Sequence, residues 1–158
     1  MAIYRSEGGR GENPAKTFLK RYRAMLQRRQ SIQRSIDEAY DRATQCTQKL
    51  KAVSVTGGGA GDKVADAVIK IADSTEQLKG VLRQIDADLA EILRAIESVP
   101  EEVQKTVLTL RYIEGLDWMA IQERLHFEKT YTLIIHGRGL WHVKQWMGAK
   151  GLLDDEKM

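Results

Sequence analysis

Three histidines, His126, His136 and His142, are the side chains in this sequence best suited to bind a metal ion or to transfer protons. Their spacings match no zinc-ligand motif, and the single cysteine, Cys46, is distant from them in the chain. No Ser/His/Asp, Cys/His or paired-carboxylate arrangement stands out. We therefore expect no metal, no cofactor, no small-molecule substrate and no enzymatic activity.

A glycine-rich segment, TGGGAGDK at residues 56–63, has a superficial likeness to a phosphate-binding loop. It lacks the Gly-Lys-Ser/Thr ending of such loops, and it follows a predicted helix rather than a strand. Because consecutive glycines permit a sharp reversal of the chain, we interpret residues 54–62 as the turn of a helical hairpin.

Apolar residues recur in alternating steps of four and three on both sides of that turn. This heptad spacing predicts two long antiparallel helices within residues 14–99, with Asn13 capping the first and Asp62 the second. Arg29 is the one strongly polar member of the first series. Two helices alone bury little surface, so we expect them also to pack against a second copy of the chain or against the C-terminal domain. The predicted seam residues are Met25, Ile32, Ile36, Ile71, Leu78, Leu82, Ile85 and Leu89.

The formal net charge of +3 is unevenly distributed along the chain. Residues 16–53 contain ten Lys/Arg and three Asp/Glu, whereas residues 62–99 contain five and eight. This asymmetry indicates two helices that attract each other, with positive charge left over. The basic side chains of the first helix either follow DNA phosphates or form a solvated face opposite the acidic helix, and the sequence leaves both interpretations open. They are Lys16, Lys20, Arg21, Arg23, Arg28, Arg29 and Arg34.

The pattern changes after Val99. Pro100 and two glutamates predict a new helix that runs to about Glu114, where Gly115 ends it. Asp117 then caps a short helix, His126 and Phe127 form a tight turn, and a further helix begins near Glu128. The sequence therefore predicts an all-α fold with a helix-turn-helix domain at residues 100–147. Residues 1–13 and the acidic residues 148–158 are predicted to be flexible tails.

Residues 99–143, VPEEVQKTVLTLRYIEGLDWMAIQERLHFEKTYTLIIHGRGLWHV, resemble region 4 of sigma-70-type transcription factors. The matching pieces are LRYIEGL, a cap, Trp118, Ala120-Ile121 and Leu125, followed by the turn and the third helix. From about Ala15 to Val143 the chain is similar to phage-encoded, sigma-region-4-like regulators of the ArpU-type late activator group, which LHF and IHG fit best. The resemblance implies a cytoplasmic, nucleoid-associated transcriptional regulator of a phage or prophage that binds promoter-like double-stranded DNA. It also implies the host RNA polymerase as a partner.

The third helix of this domain supplies the predicted DNA contacts, because its N-terminal turns would meet base edges in the major groove. Related sequences commonly carry Arg or Lys on this face, whereas this chain offers Leu133 and Ile134. Helical spacing assigns Thr132, Ile135 and Leu140 to the core. The predicted DNA-binding residues are Lys129, Thr130, Tyr131, Leu133, Ile134, Arg138 and Lys144.

Two other functions stay open at the level of sequence. A small terminase-like packaging subunit would also join a DNA-binding helical domain to an oligomerisation element. A protein-interaction adaptor would use Leu133 and Ile134 as an apolar docking surface, and Trp141 and Trp146 either extend such a surface or seal the last helix. A single cysteine and the lack of any bilayer-length apolar run or signal-peptide core predict a soluble cytoplasmic protein without membrane contact, and we expect a homo-oligomer.

Overall fold

In the computed structural model, residues 12–52 and 59–153 are described. All regular secondary structure in these two ranges is helical, which confirms the predicted all-α class. A π-helical segment, Thr109–Ile113, continues directly from the third helix. The helices are α1 Pro14–Ala52, α2 Gly59–Glu97, α3 Glu102–Leu108, α4 Trp118–Leu125 and α5 Lys129–Ala149.

The second helix begins earlier than the sequence predicts. Residues 59–62 already belong to α2, so Asp62 lies in the first turn and does not cap it. A carboxylate in that turn still interacts favourably with the helix dipole, which is why the two positions are easily confused. The rest of the predicted turn lies outside the described residues, as do residues 1–11 and 154–158 of the predicted tails.

The chain divides into two compact units. The central unit is Tyr22–Ala90 and holds most of α1 and α2. The terminal unit combines residues 12–21 with residues 91–153, so the start of α1 and the end of α2 share a core with α3, α4 and α5. Within the terminal unit, α3 and α4 both pack against α5.

The central unit consists of two long helices packed along an apolar seam. Four buried residues form its centre, two from each helix. Half-buried apolar side chains surround them. One of these is Leu26, which packs against the cluster although it lies outside the predicted seam, whereas Arg29, a member of the heptad series, does not. Arg29 is exposed, as expected for a guanidinium that is costly to remove from water. The buried four are Ile32, Ile36, Val81 and Ile85, and around them lie Tyr22, Met25, Leu26, Ile71 and Leu78.

The buried register of α2 differs from the predicted one at alternate positions. Leu82 was placed in the seam by its spacing, but it is 41% exposed and Val81 is buried in its stead. Ala67 is likewise buried while its neighbour Val68 is exposed. Leu89, a predicted seam residue, is only half-buried. Both registers step by four and three and both are largely apolar, so periodicity alone does not separate them.

The terminal unit has the more completely buried core. Its largest fully buried side chains come from all of its helices: Leu19, Ile92, Val99, Val107, Leu108, Ile121, Thr132 and Val143. A glycine on α5, Gly139, allows the closest approach of α3. A methyl group on it would lie 3.0 Å from Cδ1 and 3.1 Å from Cγ of the buried Leu108.

This contact predicts opposite effects for two Gly-to-Ala substitutions. Gly80→Ala, in the middle of α2, meets nothing within 4 Å and should stabilise the chain by up to about 1 kcal/mol through helix propensity. Gly139→Ala gains the same propensity but overpacks against Leu108, which costs roughly 1–3 kcal/mol, so we expect a net loss of stability. Thermal unfolding of both variants measures the difference. Equal stabilisation by the two substitutions would contradict the close packing.

Candidate nucleic-acid interface

In the terminal unit a short helix, α4, is joined to the long helix α5 by a three-residue turn. Asp117 caps α4, as predicted, because its Oδ1 accepts a hydrogen bond of 2.8 Å from the Ala120 backbone N–H. His126 ends α4 in the left-handed conformation, with φ of 56°. The chain then passes through Phe127 and Glu128 into α5. Local capping therefore fixes both ends of α4, whereas α5 begins at Lys129 without a side-chain cap hydrogen bond.

One face of α5 is exposed along most of its length. All seven predicted DNA-binding residues lie on that exposed side, and the structure places three large apolar ones there: Tyr131 is 45%, Leu133 42% and Ile134 46% exposed. Thr132, Ile135 and Leu140 are buried, as the helical spacing predicted. The exposed polar residues of the set are Lys129, Thr130, Arg138 and Lys144.

The charge of α5 has a single sign. Its sequence, KTYTLIIHGRGLWHVKQWMGA, contains Lys129, Arg138 and Lys144 and no aspartate or glutamate. The three cations are distributed along the length of the helix, with Lys129 and Arg138 on opposite flanks of its exposed side. Cations without carboxylates on an exposed helix are the electrostatic pattern expected for contact with a phosphate backbone.

Trp141 enlarges this face beyond the predicted set. Its side chain is 51% exposed and makes an edge-on contact with His142, with ring centroids 4.9 Å apart. At about 100° per residue, it shares the side of the helix that carries Thr130 and Ile134. Trp146 instead packs against Phe18, with centroids 6.0 Å apart. The sequence left the placement of both tryptophans open, and the structure separates them.

A buried polar cluster lies behind the exposed face and joins three elements. The Tyr112 hydroxyl and His136 Nε2 share a hydrogen bond of 2.8 Å. Trp118 meets the His136 ring edge-on at 4.7 Å, and the Arg111 guanidinium stacks over Trp118 at 4.6 Å. Arg111 also donates a hydrogen bond to the carbonyl of Leu116. These contacts tie the π-helical segment, α4 and α5 together and so fix the orientation of α5.

His136 therefore has a structural role, and its burial removes it from phosphate contact. Burial, reinforced by the nearby positive charges of Lys16 and Arg111, lowers its pKa to about 4. Burial likewise raises the pKa of Tyr112 to about 12, so its hydroxyl stays protonated. The two groups are 24 residues apart in the chain, and no spacing rule predicts their pairing.

The pKa of His136 predicts a loss of stability on mild acidification. In the unfolded chain its pKa returns to about 6.5, so the unfolded state binds more protons as the pH falls from 6.5 towards 4. From this group alone, the free energy of unfolding should fall by at most about 1.4 kcal/mol per pH unit in that window. Urea unfolding between about pH 6.5 and 5, above the range of most carboxylates, measures the slope.

Two variants make this pH test specific. His136→Gln cannot become charged, so its unfolding free energy should be lower overall but flatter with pH. His126→Gln alters an exposed imidazole in the turn and keeps the buried one, so it should retain the slope. An unchanged slope in His136→Gln would show that another group is responsible.

In the terminal unit, some of the basic side chains of α1 form ion pairs with carboxylates. Lys20 Nζ forms an ion pair with Glu12, and Arg21 Nη1 lies 3.6 Å from Glu91 Oε2 while its guanidinium stacks over Phe18. In the central unit, Arg23, Arg28, Arg29 and Arg34 are exposed. The run is therefore not one continuous free surface.

No group of three His, Cys, Asp or Glu side chains within residues 12–52 and 59–153 could hold a metal ion, and no helix within these ranges is long and apolar enough to cross a bilayer. No protein-family model, curated protein or solved structure matches this chain.

Proposed function

We propose that this chain is a sequence-specific, double-stranded DNA-binding regulator of transcription in a phage or prophage. In this proposal α4, the turn and α5 act as a helix-turn-helix, with α5 entering the major groove. The observation that carries it is the exposed face of α5, which bears three cations and no carboxylate directly after a capped short helix and a three-residue turn. A groove about 12 Å wide accepts a helix with side chains of this size.

The exposed residues divide into two roles. Those in the first turns of α5 are proposed to meet base edges, because that end of a recognition helix normally enters the groove. They are Lys129, Thr130, Tyr131, Leu133 and Ile134. Arg138 lies about one turn beyond Ile134, and Lys144 lies more than two turns beyond it. Both are proposed to bind phosphates, because phosphate contacts position the protein without reading sequence.

The central unit is proposed to mediate self-association. Among its described residues, four large apolar side chains are exposed: Tyr40, Val68, Ile69 and Leu82. Val68 and Leu82 share one flank of the buried seam of α2, where a second copy would cover them, whereas Ile69 lies on the opposite side of the helix. Sedimentation of Leu82→Lys against the unaltered chain tests this, and identical masses for the two would argue against it. Contact with host RNA polymerase remains an analogy with sigma region 4.

A protein-interaction adaptor is the second candidate, and one observation favours it. Leu133, Ile134 and Trp141 are exposed on a single side of α5, and apolar side chains in such a group often mark a protein interface. The carboxylate-free charge of the same face favours DNA instead.

The test is a salt-titrated binding assay on DNA from the chain's own genomic neighbourhood. Replacing both Lys129 and Arg138 by alanine should weaken binding at least tenfold and reduce the slope of log affinity against log salt by about one for each lost phosphate contact. Lys70→Ala is the matched control, because this exposed lysine lies on α2 in the central unit. Equal affinity and slope in all three proteins would refute the proposal.

A further inference from the structure

The first turns of α5 expose apolar groups at the positions proposed to meet base edges. Leu133 and Ile134 are each more than two-fifths exposed, and Thr130 presents a methyl group one turn earlier. Residues three and four apart are neighbours on a helix, so these three side chains form one continuous patch, called here the methyl patch. Isolated exposed apolar residues are ordinary, but a cluster on a proposed reading surface requires a matching ligand.

The charges around the methyl patch restrict its occupant. Lys129 lies one turn before Leu133, and Arg138 lies one turn after Ile134. The patch is therefore bracketed along the helix by two cations, and α5 contains no acidic residue that would repel phosphate. An apolar centre between two positive charges complements a duplex groove, whose floor is framed by phosphates on both sides.

The chemistry of the base edges then determines which base the methyl patch prefers. In the major groove every base presents hydrogen-bond donors or acceptors, and thymine adds an apolar C5-methyl group. Leu and Ile side chains have no donor or acceptor, so pressing them on polar base atoms removes water without replacing its hydrogen bonds. Contact with a thymine methyl instead buries apolar surface on both partners.

We propose that Thr130, Leu133 and Ile134 read the C5-methyl groups of thymine in the major groove. This inference rests on the proposed DNA-binding function and specifies which bases the reading helix accepts. The patch distinguishes thymine from uracil, which lacks only that methyl group, and it also accepts 5-methylcytosine. Its specificity comes from apolar contact, while Lys129 and Arg138 supply affinity that is independent of sequence.

Four defined duplexes test the proposal at low salt. They are an alternating A·T duplex, the same duplex with deoxyuridine for thymidine, an alternating G·C duplex, and that duplex with 5-methylcytosine. For each methyl group covered, the methylated partner of each pair should bind about three- to fivefold more tightly. Replacing both Leu133 and Ile134 by alanine should lower both ratios clearly while the unmethylated duplexes stay bound, with Thr130 and the alanine methyl groups retaining a smaller preference.

Leu93→Ala is the matched control, because it shortens an exposed apolar side chain on α2 outside the proposed DNA-reading and self-association surfaces and should preserve both ratios. Equal binding of thymine and uracil duplexes by the unaltered chain would overturn the methyl-reading inference and leave the DNA-binding proposal standing. No binding to any duplex would overturn both. A Leu133 and Ile134 double variant that keeps the unaltered ratios would assign the patch to a protein partner and refute its role in reading methyl groups.

Discussion

Replacing Ile121 by alanine should lower the free energy of unfolding of the terminal unit by roughly 2–5 kcal/mol. Ile121 is fully buried in α4, the helix that supports α5, and truncation leaves a cavity that its neighbours fill only in part. Such a loss is a large fraction of the 5–15 kcal/mol that stabilises a typical domain. Urea unfolding followed by tryptophan fluorescence measures it, since Trp118 lies in the same helix.

Met119→Ala provides the control for this prediction. Met119 is in the same helix but is 70% exposed, so its truncation should change stability by no more than about 0.5 kcal/mol. Comparable losses from the two substitutions would show that α4 is not packed as described. A second readout follows from the proposed function, because Ile121→Ala should weaken DNA binding without touching DNA.

The second large effect is expected on DNA affinity when a charged residue replaces Ile134, and its direction depends on the sign of that charge. Ile134→Asp would bring a carboxylate against the phosphates, and like charges at an interface cost several kcal/mol, so DNA affinity should fall on the order of 100-fold. Ile134→Arg should retain affinity or gain some that is independent of sequence, because it adds a cation to a basic face. Titration of both variants against one duplex measures the difference.

The pair also separates DNA binding from the adaptor function. An apolar docking surface is damaged by either charge, because both leave a charged group facing an apolar partner. Loss of function with Asp alone therefore supports DNA. Equal loss of a protein partner with Asp and Arg, together with unchanged DNA affinity, would favour the adaptor. Ile134 is exposed, so neither substitution should unfold the chain.

Helix ends were predictable because they depend on a few local residues. Pro14 begins α1, Asp117 caps α4, and α5 starts at Lys129, one residue after the predicted position. For α1 and α4 the signal is local backbone chemistry, namely the fixed φ of Pro14 and the Asp117 side chain that accepts a hydrogen bond from the first turn, whereas α5 begins without a side-chain cap. The exposed face of α5 was also predictable, since buried Thr132 and Ile135 define its opposite side.

Interactions between distant residues were not predictable. The seam of α2 runs through Val81 rather than Leu82, and only packing against α1 selects between two adjacent apolar residues. The pairing of Tyr112 with His136 spans 24 residues and depends on how α5 folds back onto the π-helical segment. The contact of Trp146 with Phe18 likewise joins residues far apart in the chain, which one-dimensional spacing does not contain.

The π-helical segment Thr109–Ile113 makes the terminal unit sensitive to chain length. Its hydrogen bonds include Glu114 N–H to Thr109 O, and Leu116 N–H reaches back to Leu110 O, so this stretch holds an extra residue compared with a regular α-helix. One residue rotates a helix by about 100°, and removing it would turn Tyr112 away from His136. Insertions and deletions here would therefore act as rotations of the scaffold beneath α5.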